Sequence, residues 1–413
     1  MLTTRNKAVA EFMPFSIVHV HMLEPLSSEK GWELFCRKAF GIDSCCPPNM
    51  TELSERIVGK CGGLPLAIAA IHCNRVLSEG YYDLPHPLKS CLLYFGVFPE
   101  GYEIRFGRLI RLWVAEGFVQ CNNHLQSEHV TEEYMKELID RSLVQVSERK
   151  PFGRARSCRV HDLMYKIIRK KMKECDFCHF FNEKDFSHFS KTQRISIHKC
   201  TNGVLESIKN SKIRSICLFN VDKLPKTFTT IFVANFKLLK ILDFENAPLD
   251  CLPDGVGKLV HLHYLSLKNT KLKELPKSIG MLLNLETLNL KWTFVSELPV
   301  EIKNLKKLRY LIAKRCDNKG PYGSRAKIQE GFGALTELRK LRHVHGNTEV
   351  LEELKKLRQM RKFGIRVANR DVKDLFAIVQ NMENLEGLSV QALTSGEEPF
   401  DIQSLASPLL CLQ

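Results

Sequence analysis

The sequence predicts a multidomain α/β chain: helices first, then a small helical domain closed by a β-hairpin, then a repeat solenoid of short strands. Three observations carry this. Leucine and proline return at a fixed step of 23 residues in the C-terminal half, as at Pro253, Pro276 and Pro299. Upstream, apolar residues recur at helical spacing between serine starts and glycine stops. Between these regions two strand-like runs flank the Pro151-Phe152-Gly153 turn, a hairpin signal.

In the repeats, each proline follows a leucine, at Leu252, Leu275 and Leu298, and Leu239, Leu262, Leu285 and Leu308 keep the same step. The unit reads L-x-x-L-x-L in Leu262, Leu265, Leu267 and in Leu285, Leu288, Leu290; Leu239, Leu242, Phe244 and Leu308, Leu311, Ala313 degrade it slightly. This is the leucine-rich-repeat pattern, and it predicts an α/β horseshoe. Alternation at Leu265 and Leu267 marks a short strand with both leucines inward. The segment after each proline returns Val256 or Ile279 to the core, and Thr270 and Thr293 sit where a side chain can bond turn backbone. One coil cannot bury its own apolar face, so stability comes from stacking neighbours. Prolines at every turn exclude long helices. Past Lys314 the period loosens, and weaker units recur near Leu335, Leu354 and Leu385.

Residues between the inward leucines face outward on the concave wall. Asp243, Glu245, Tyr264, Ser266, Lys268, Thr287, Asn289, Lys291, Tyr310 and Lys314 are therefore the expected partner-binding surface, since mixed aromatic, charged and polar character suits protein recognition.

In the N-terminal half, Ser27 or Ser28 opens a helix with Trp32, Phe35 and Ala39 on one face. A second helix, Leu53 to Cys61, stops at Gly62-Gly63, and Pro65 starts a third over Leu66–Ile71. From Leu84 to Met172, helices over Leu88–Val97, Leu109–Phe118 and Glu132–Ser142 precede strands at Val144–Ser147 and Ser157–Val160, which describes a winged helix. Many winged helices place the third helix in the DNA major groove. Here that helix is acidic, with Glu132, Glu133, Glu137 and Asp140, so protein packing is the better reading.

Composition bounds the rest. The 413 residues carry a formal charge of +15, but Lys and Arg are spread along the chain rather than gathered into a nucleic-acid stripe. No apolar run reaches the ~18–20 residues that span a bilayer. No signal peptide opens the chain, so a soluble intracellular protein is expected. The 15 cysteines are scattered and odd in number, unlike a disulfide framework. Cys158-x-x-His161 with Cys175-x-x-Cys178 has zinc-ligand residue types, but His161 has a better role below, and no metal is expected.

Together, these motifs resemble those of plant nucleotide-binding leucine-rich-repeat disease resistance proteins, nearest the coiled-coil type. Gly63-Leu64-Pro65-Leu66 resembles their GLPL motif, and Pro25-Leu26 with Trp32-Glu33-Leu34-Phe35 the motif just before it. Leu84-Pro85 through Leu88, Cys91, Tyr94-Phe95 and Phe98-Pro99 resembles the opening of their winged-helix domain. Val160-His161-Asp162 is similar to the Met-His-Asp triplet, and Leu2 to Arg5 to the strand with the sensor arginine. The implied organisation is a helical remnant of the nucleotide-binding NB-ARC domain over 1–80, a winged helix over 81–175 and leucine-rich repeats over 190–413. The resemblance implies a switch in which ADP holds the domains closed and ATP opens them for immune signalling. Pro65 would pack on the base, His161 contact phosphate and Arg5 read the third phosphate.

Two departures qualify this. No G-x-x-x-x-G-K-[ST] loop occurs, and no apolar strand ends in paired aspartates, so no ATPase and no tight ADP or ATP binding is expected. Only His72 to Tyr81 bridges the GLPL motif and the winged helix, where the family inserts more helix. The expected function is a partial, N-terminally truncated resistance protein, cytoplasmic or peripheral at the plasma membrane. It would recognise a pathogen effector or a guarded host protein and dock its own domains in autoinhibition. The alternatives are a complete ADP/ATP switch whose phosphate loop lies upstream of this sequence, and a winged-helix DNA-binding protein.

Overall fold

A computed structural model describes residues 24–40, 46, 51–63, 65, 68, 81–119, 124–141, 143–149, 155–181, 192–198, 212–221, 224, 233–316, 326–345 and 348–393. The chain divides between Asp83 and Leu84 into two compact units.

In the first unit, α1 (Ser28–Phe40) and α2 (Thr51–Lys60) bury Phe35 against Val58, Cys61 and Ile68. The Ser27 carbonyl accepts the Gly31 N–H at 2.8 Å, in keeping with a serine start. Gly62 and Gly63 end α2 with φ of 56° and 70°. At Gly63 a Cβ would lie 2.3 Å from the Leu26 carbonyl oxygen, and Leu26 N–H donates to the Gly63 carbonyl at 2.7 Å. Only glycine allows that approach in that backbone conformation, which links the Pro25-Leu26 and GLPL segments. Residues 66–67 and 69–80, which hold most of the expected third helix and the short bridge, lie outside the described residues.

The second unit begins with the winged helix. Its elements are α3 (His86–Tyr94), β1 (Ile104–Arg105), α4 (Phe106–Glu116), α5 (His124–Asp140), β2 (Gln145–Arg149), β3 (Ala155–Arg159) and α6 (Asp162–Glu174). The expected hairpin is present, and β1 joins it antiparallel to make the order β1-β3-β2. Trp113, Tyr94, Phe95 and Phe98 fill the core, with Phe95 edge-on to Trp113 at 6.1 Å. The first helix gives way after Tyr94 to a 3₁₀ turn over Phe95–Val97. Cys158 points its thiol at the Ile104 carbonyl and Cys175 at the Lys171 carbonyl. Among the described residues, no group of three or more His, Cys, Asp or Glu could hold a metal ion.

The solenoid strands are β4 (His179–Phe181), β5 (Arg194–His198), β6 (Ser215–Phe219), β7 (Ile241–Asp243), β8 (Tyr264–Ser266), β9 (Thr287–Asn289), β10 (Tyr310–Ile312), β11 (Ala326–Lys327), β12 (Lys340–His345), β13 (Lys362–Ala368) and β14 (Gly387–Leu393). They form one parallel sheet in sequence order from β4 to β14, with β11 a side branch on β12. It starts at His179, ahead of the expected position 190. Register follows the repeat: Tyr264, Thr287 and Tyr310 are aligned, as are Leu265, Leu288 and Leu311. Val256 and Ile279 join the inward leucines in one continuous core. Each of Pro253, Pro276 and Pro299 caps a short 3₁₀ helix, its ring fixing φ near −70°. Thr270 and Thr293 hydroxyls donate to the Leu267 and Leu290 carbonyls at 2.8 and 2.9 Å, the expected turn bonds. Later coils carry α7 (Thr348–Leu354) and α8 (Val372–Gln380), with α7 packed on the 3₁₀ turn Phe332–Ala334 and on α8.

Leu288 is fully buried at the centre of this column. Leu288→Ala is expected to lower unfolding free energy by ~2–5 kcal/mol, read as a shifted urea midpoint; an unchanged midpoint would contradict the stacked-core description.

Candidate functional site

The wall expected to stand open is largely covered by the chain's own winged helix. Asp243 and Tyr264 are 0% exposed and Glu245 and Asn289 each 6%; Ser266 and Thr287 are buried as well, and Tyr310 is half-buried. The expectation of a free surface at these positions is therefore corrected. The physical reason is that α4 lies across β7 and β8 and brings a cation to the wall.

That cation is Arg108. Its Nη2 and Nε donate to Asp243 Oδ2 at 2.6 and 3.2 Å, and its Nη1 pairs with Glu245 Oε2 at 2.9 Å. Nη1 also donates to the Tyr102 hydroxyl at 3.2 Å, and the guanidinium lies 5.2 Å from the Phe98 ring centre. The Glu245 N–H donates to Asp243 Oδ1 at 3.0 Å, and Lys268 Nζ pairs with Glu245 on its other oxygen. Burial opposes the charge on Arg108, yet Asp243 and Glu245 outweigh it and hold the guanidinium charged. Burial pushes Asp243 up despite Arg108, whereas at Glu245 the opposing burial is outweighed by Arg108 and Lys268, which hold the carboxyl down.

Further contacts flank this clasp. Ser196 Oγ donates to the Val97 carbonyl at 2.6 Å, and Tyr165 reaches the Phe98 carbonyl at 3.0 Å. Phe98 and Tyr102 both pack on Phe219, at 5.4 and 5.7 Å. Arg194 pairs with Glu116 at 2.9 Å and Arg339 with Glu128 at 2.6 Å. Arg111 lies 5.1 Å from the Tyr310 ring centre. Sequence reasoning did not single out Arg108, Arg194 or Arg339. Two arginines, Arg108 and Arg111, in the otherwise apolar-rich helix Phe106–Glu116 are the signal it offered.

Lys268, Lys291 and Lys314 stay half-buried where the wall meets its rim. Pro65 is an exposed helical residue of the first unit, and His161 an exposed residue opening α6 in the second, its carbonyl accepting the Tyr165 N–H at 2.9 Å. Arg5 lies outside the described residues.

The fold defines a winged helix seated on the inner wall of a leucine-rich-repeat solenoid. Comparison with known proteins agrees. A family model described as the disease resistance protein winged helix domain matches residues 97–168, and one described as a leucine-rich repeat region matches residues 212–413. The putative disease resistance RPP13-like protein 3 of Arabidopsis thaliana is 34% identical over 302 residues, covering 64% of this chain and 35% of its own. Disease resistance protein RPM1 of the same plant is 32% identical over 449 residues, covering 98% of this chain and 48% of its own. The ToMV resistant protein Tm-2 netted virescent of Solanum lycopersicum is 30% identical over 307 residues, covering 64% and 35%. The chain thus spans 35–48% of the length of these relatives. These matches support its place among the plant nucleotide-binding leucine-rich-repeat disease resistance proteins.

Removing one member of a buried ion pair strands the other charges. Arg108→Met is expected to cost ~3–5 kcal/mol, and Arg108→Met with Asp243→Leu to recover much of it. Urea unfolding of both variants checks this; a near-neutral single variant would show that the clasp carries no energy.

Proposed function

We propose that this chain is the recognition and self-docking portion of a plant immune receptor. The winged helix clamps the inner wall through Arg108, and protein partners are read on the surface left free. The Arg108 contact to Asp243 and Glu245 carries the reading: a docking surface held by buried charge is register-specific, and it can be released by whatever hydrates or competes for those charges. The partner is a pathogen effector or a guarded host protein, in a cytoplasmic receptor of the coiled-coil type, free or peripheral at the plasma membrane. Among the described residues no helix is long and apolar enough to cross a membrane.

The nucleotide role is narrower. Pro65 and His161 would be its base and phosphate contacts, but the sequence has no glycine-rich lysine loop to cradle phosphates. Without that loop and its lysine, the chain neither holds ADP or ATP tightly nor hydrolyses ATP. The relatives' greater length favours a second reading, in which the same half restrains a switch whose phosphate loop lies upstream.

Plants with the coding sequence disrupted are expected to lose restriction of at least one isolate in a pathogen panel that intact plants contain; equal growth of every isolate in both would overturn the immune reading. By titration calorimetry, the purified chain is expected to give no saturable heat with ADP up to about 1 mM, against the ~8 kcal/mol of micromolar binding. Submicromolar ADP affinity would restore the nucleotide switch.

A further inference from the structure

Glu245, Lys268, Lys291 and Lys314 occupy one position in four successive coils. Backbone bonds from Asn246 N–H to the Lys268 carbonyl (2.9 Å), Asn269 N–H to that of Lys291 (2.8 Å) and Trp292 N–H to that of Lys314 (2.5 Å) stack these coils at the wall's rim. The cations therefore form a row with a strand spacing of ~4.8 Å. Glu245 is already shared by Arg108 and Lys268. Among the described residues no carboxylate lies within ion-pair distance of Lys291, Lys314 or Arg105. Burial, with Arg105, Lys268 and Lys314 around it, lowers the Lys291 amine to about 8, and Glu245 offsets this only in part.

An aromatic platform adjoins the row. Lys291 and Lys268 ammonium groups lie 4.2 and 5.5 Å from the Trp292 ring centre, Trp292 is 36% exposed and neighbouring Phe294 40%. The Trp292 backbone is left-handed, with φ 63°, at the position where the two preceding coils carry Asn246 and Asn269 with φ 65° and 55°. Asparagine tolerates that conformation, and a bulky ring pays for it. A residue that breaks the local rule beside the cations Lys291 and Lys314 is best explained by what it binds.

We propose that Lys268, Lys291 and Lys314, with Arg105 and the Trp292 ring, form the docking site for an acidic segment of a partner protein. This rests on the reading of the free wall as the recognition surface and names the chemistry of its partner. A peptide suits the site better than a compact phosphate. The row runs across three coils beside an exposed aromatic surface, and the N–H groups of Asn246, Asn269 and Trp292 that could have cradled a phosphate are already donated to the neighbouring coils. An extended chain presents same-face carboxylates ~6.5–7 Å apart, within reach of flexible lysines on such a row.

The test is fluorescence anisotropy of the full chain with a labelled peptide of alternating Glu and Tyr, its Gln-for-Glu counterpart, and tripolyphosphate as competitor. The acidic peptide is expected to bind, and its Gln counterpart to bind about tenfold or more weakly. Lys291→Gln and Lys314→Gln should each weaken binding by about tenfold, or ~1.4 kcal/mol. Trp292→Asn, whose backbone the new residue suits, should weaken binding without lowering the unfolding midpoint. Equal binding of the Gln peptide, or lysine variants that bind as the parent does, overturns the proposal. Displacement by tripolyphosphate at concentrations below those of the peptide reassigns the site to phosphate and also overturns it. Plants carrying Lys291→Gln that keep resistance while losing peptide binding reject this inference and leave the immune reading intact.

Discussion

A guanidinium enclosed by two carboxylates decides how the two domains of the second unit meet. Desolvating these ions costs several kcal/mol each, and the attraction between them repays it only where geometry is close and spare donors are used. Arg108 meets that demand through Asp243, Glu245 and Tyr102, with the Phe98 ring beneath. Glu245 takes a second cation in Lys268, and Asp243 takes the Glu245 N–H. Neither carboxylate could be buried so near the other without the arginine. The polar identity of Asp243 and Glu245 in the first coils thus answers to one side chain on α4.

Around that centre the charges are distributed with alternating ownership. The winged helix contributes the cation at Arg108 but the anions at Glu116 and Glu128, whose partners Arg194 and Arg339 come from the solenoid. A shift by one coil would set Arg108 against Ser266 and Lys268 in place of Asp243 and Glu245. Such arrangements select one register more than they add affinity. The apolar contacts of Phe98 and Tyr102 with Phe219 supply burial, and the ion pairs say where it happens. The small polar residues of the covered wall fit beneath: Asn289 Nδ2 reaches Ser266 Oγ at 3.3 Å and Asn289 Oδ1 accepts the Lys291 N–H at 3.2 Å.

The period of the inward leucines was plain in the sequence because the same apolar positions return to the core at each 23-residue step. The turn roles of Thr270 and Thr293 followed from the same step. What covers the wall was not legible. Alternation tells only which residues leave the leucine core, and Asp243 or Tyr264 reads identically whether water or another domain lies beyond it. Arg108 was hidden for a related reason: in Phe106–Glu116, arginines at helical spacing look like a solvated face. β1 is two residues long, too short for a periodic signal, and β4 lies in a segment without the leucine pattern. The nucleotide residues were placed by resemblance, and their chemistry needs a loop that this sequence does not supply.

The winged helix covers the wall unevenly, and that separates two uses of one repeated position. At the first of the four stacked coils the position is Glu245, and its charge is spent on the clasp. At the next three it is lysine, and only Lys268 reaches that carboxylate. A single glutamate therefore belongs to both the docked domain and the cation row. Lys268 and Arg108 thus draw on the same carboxylate, one from the rim and one from the docked helix, and each helps to hold it ionised.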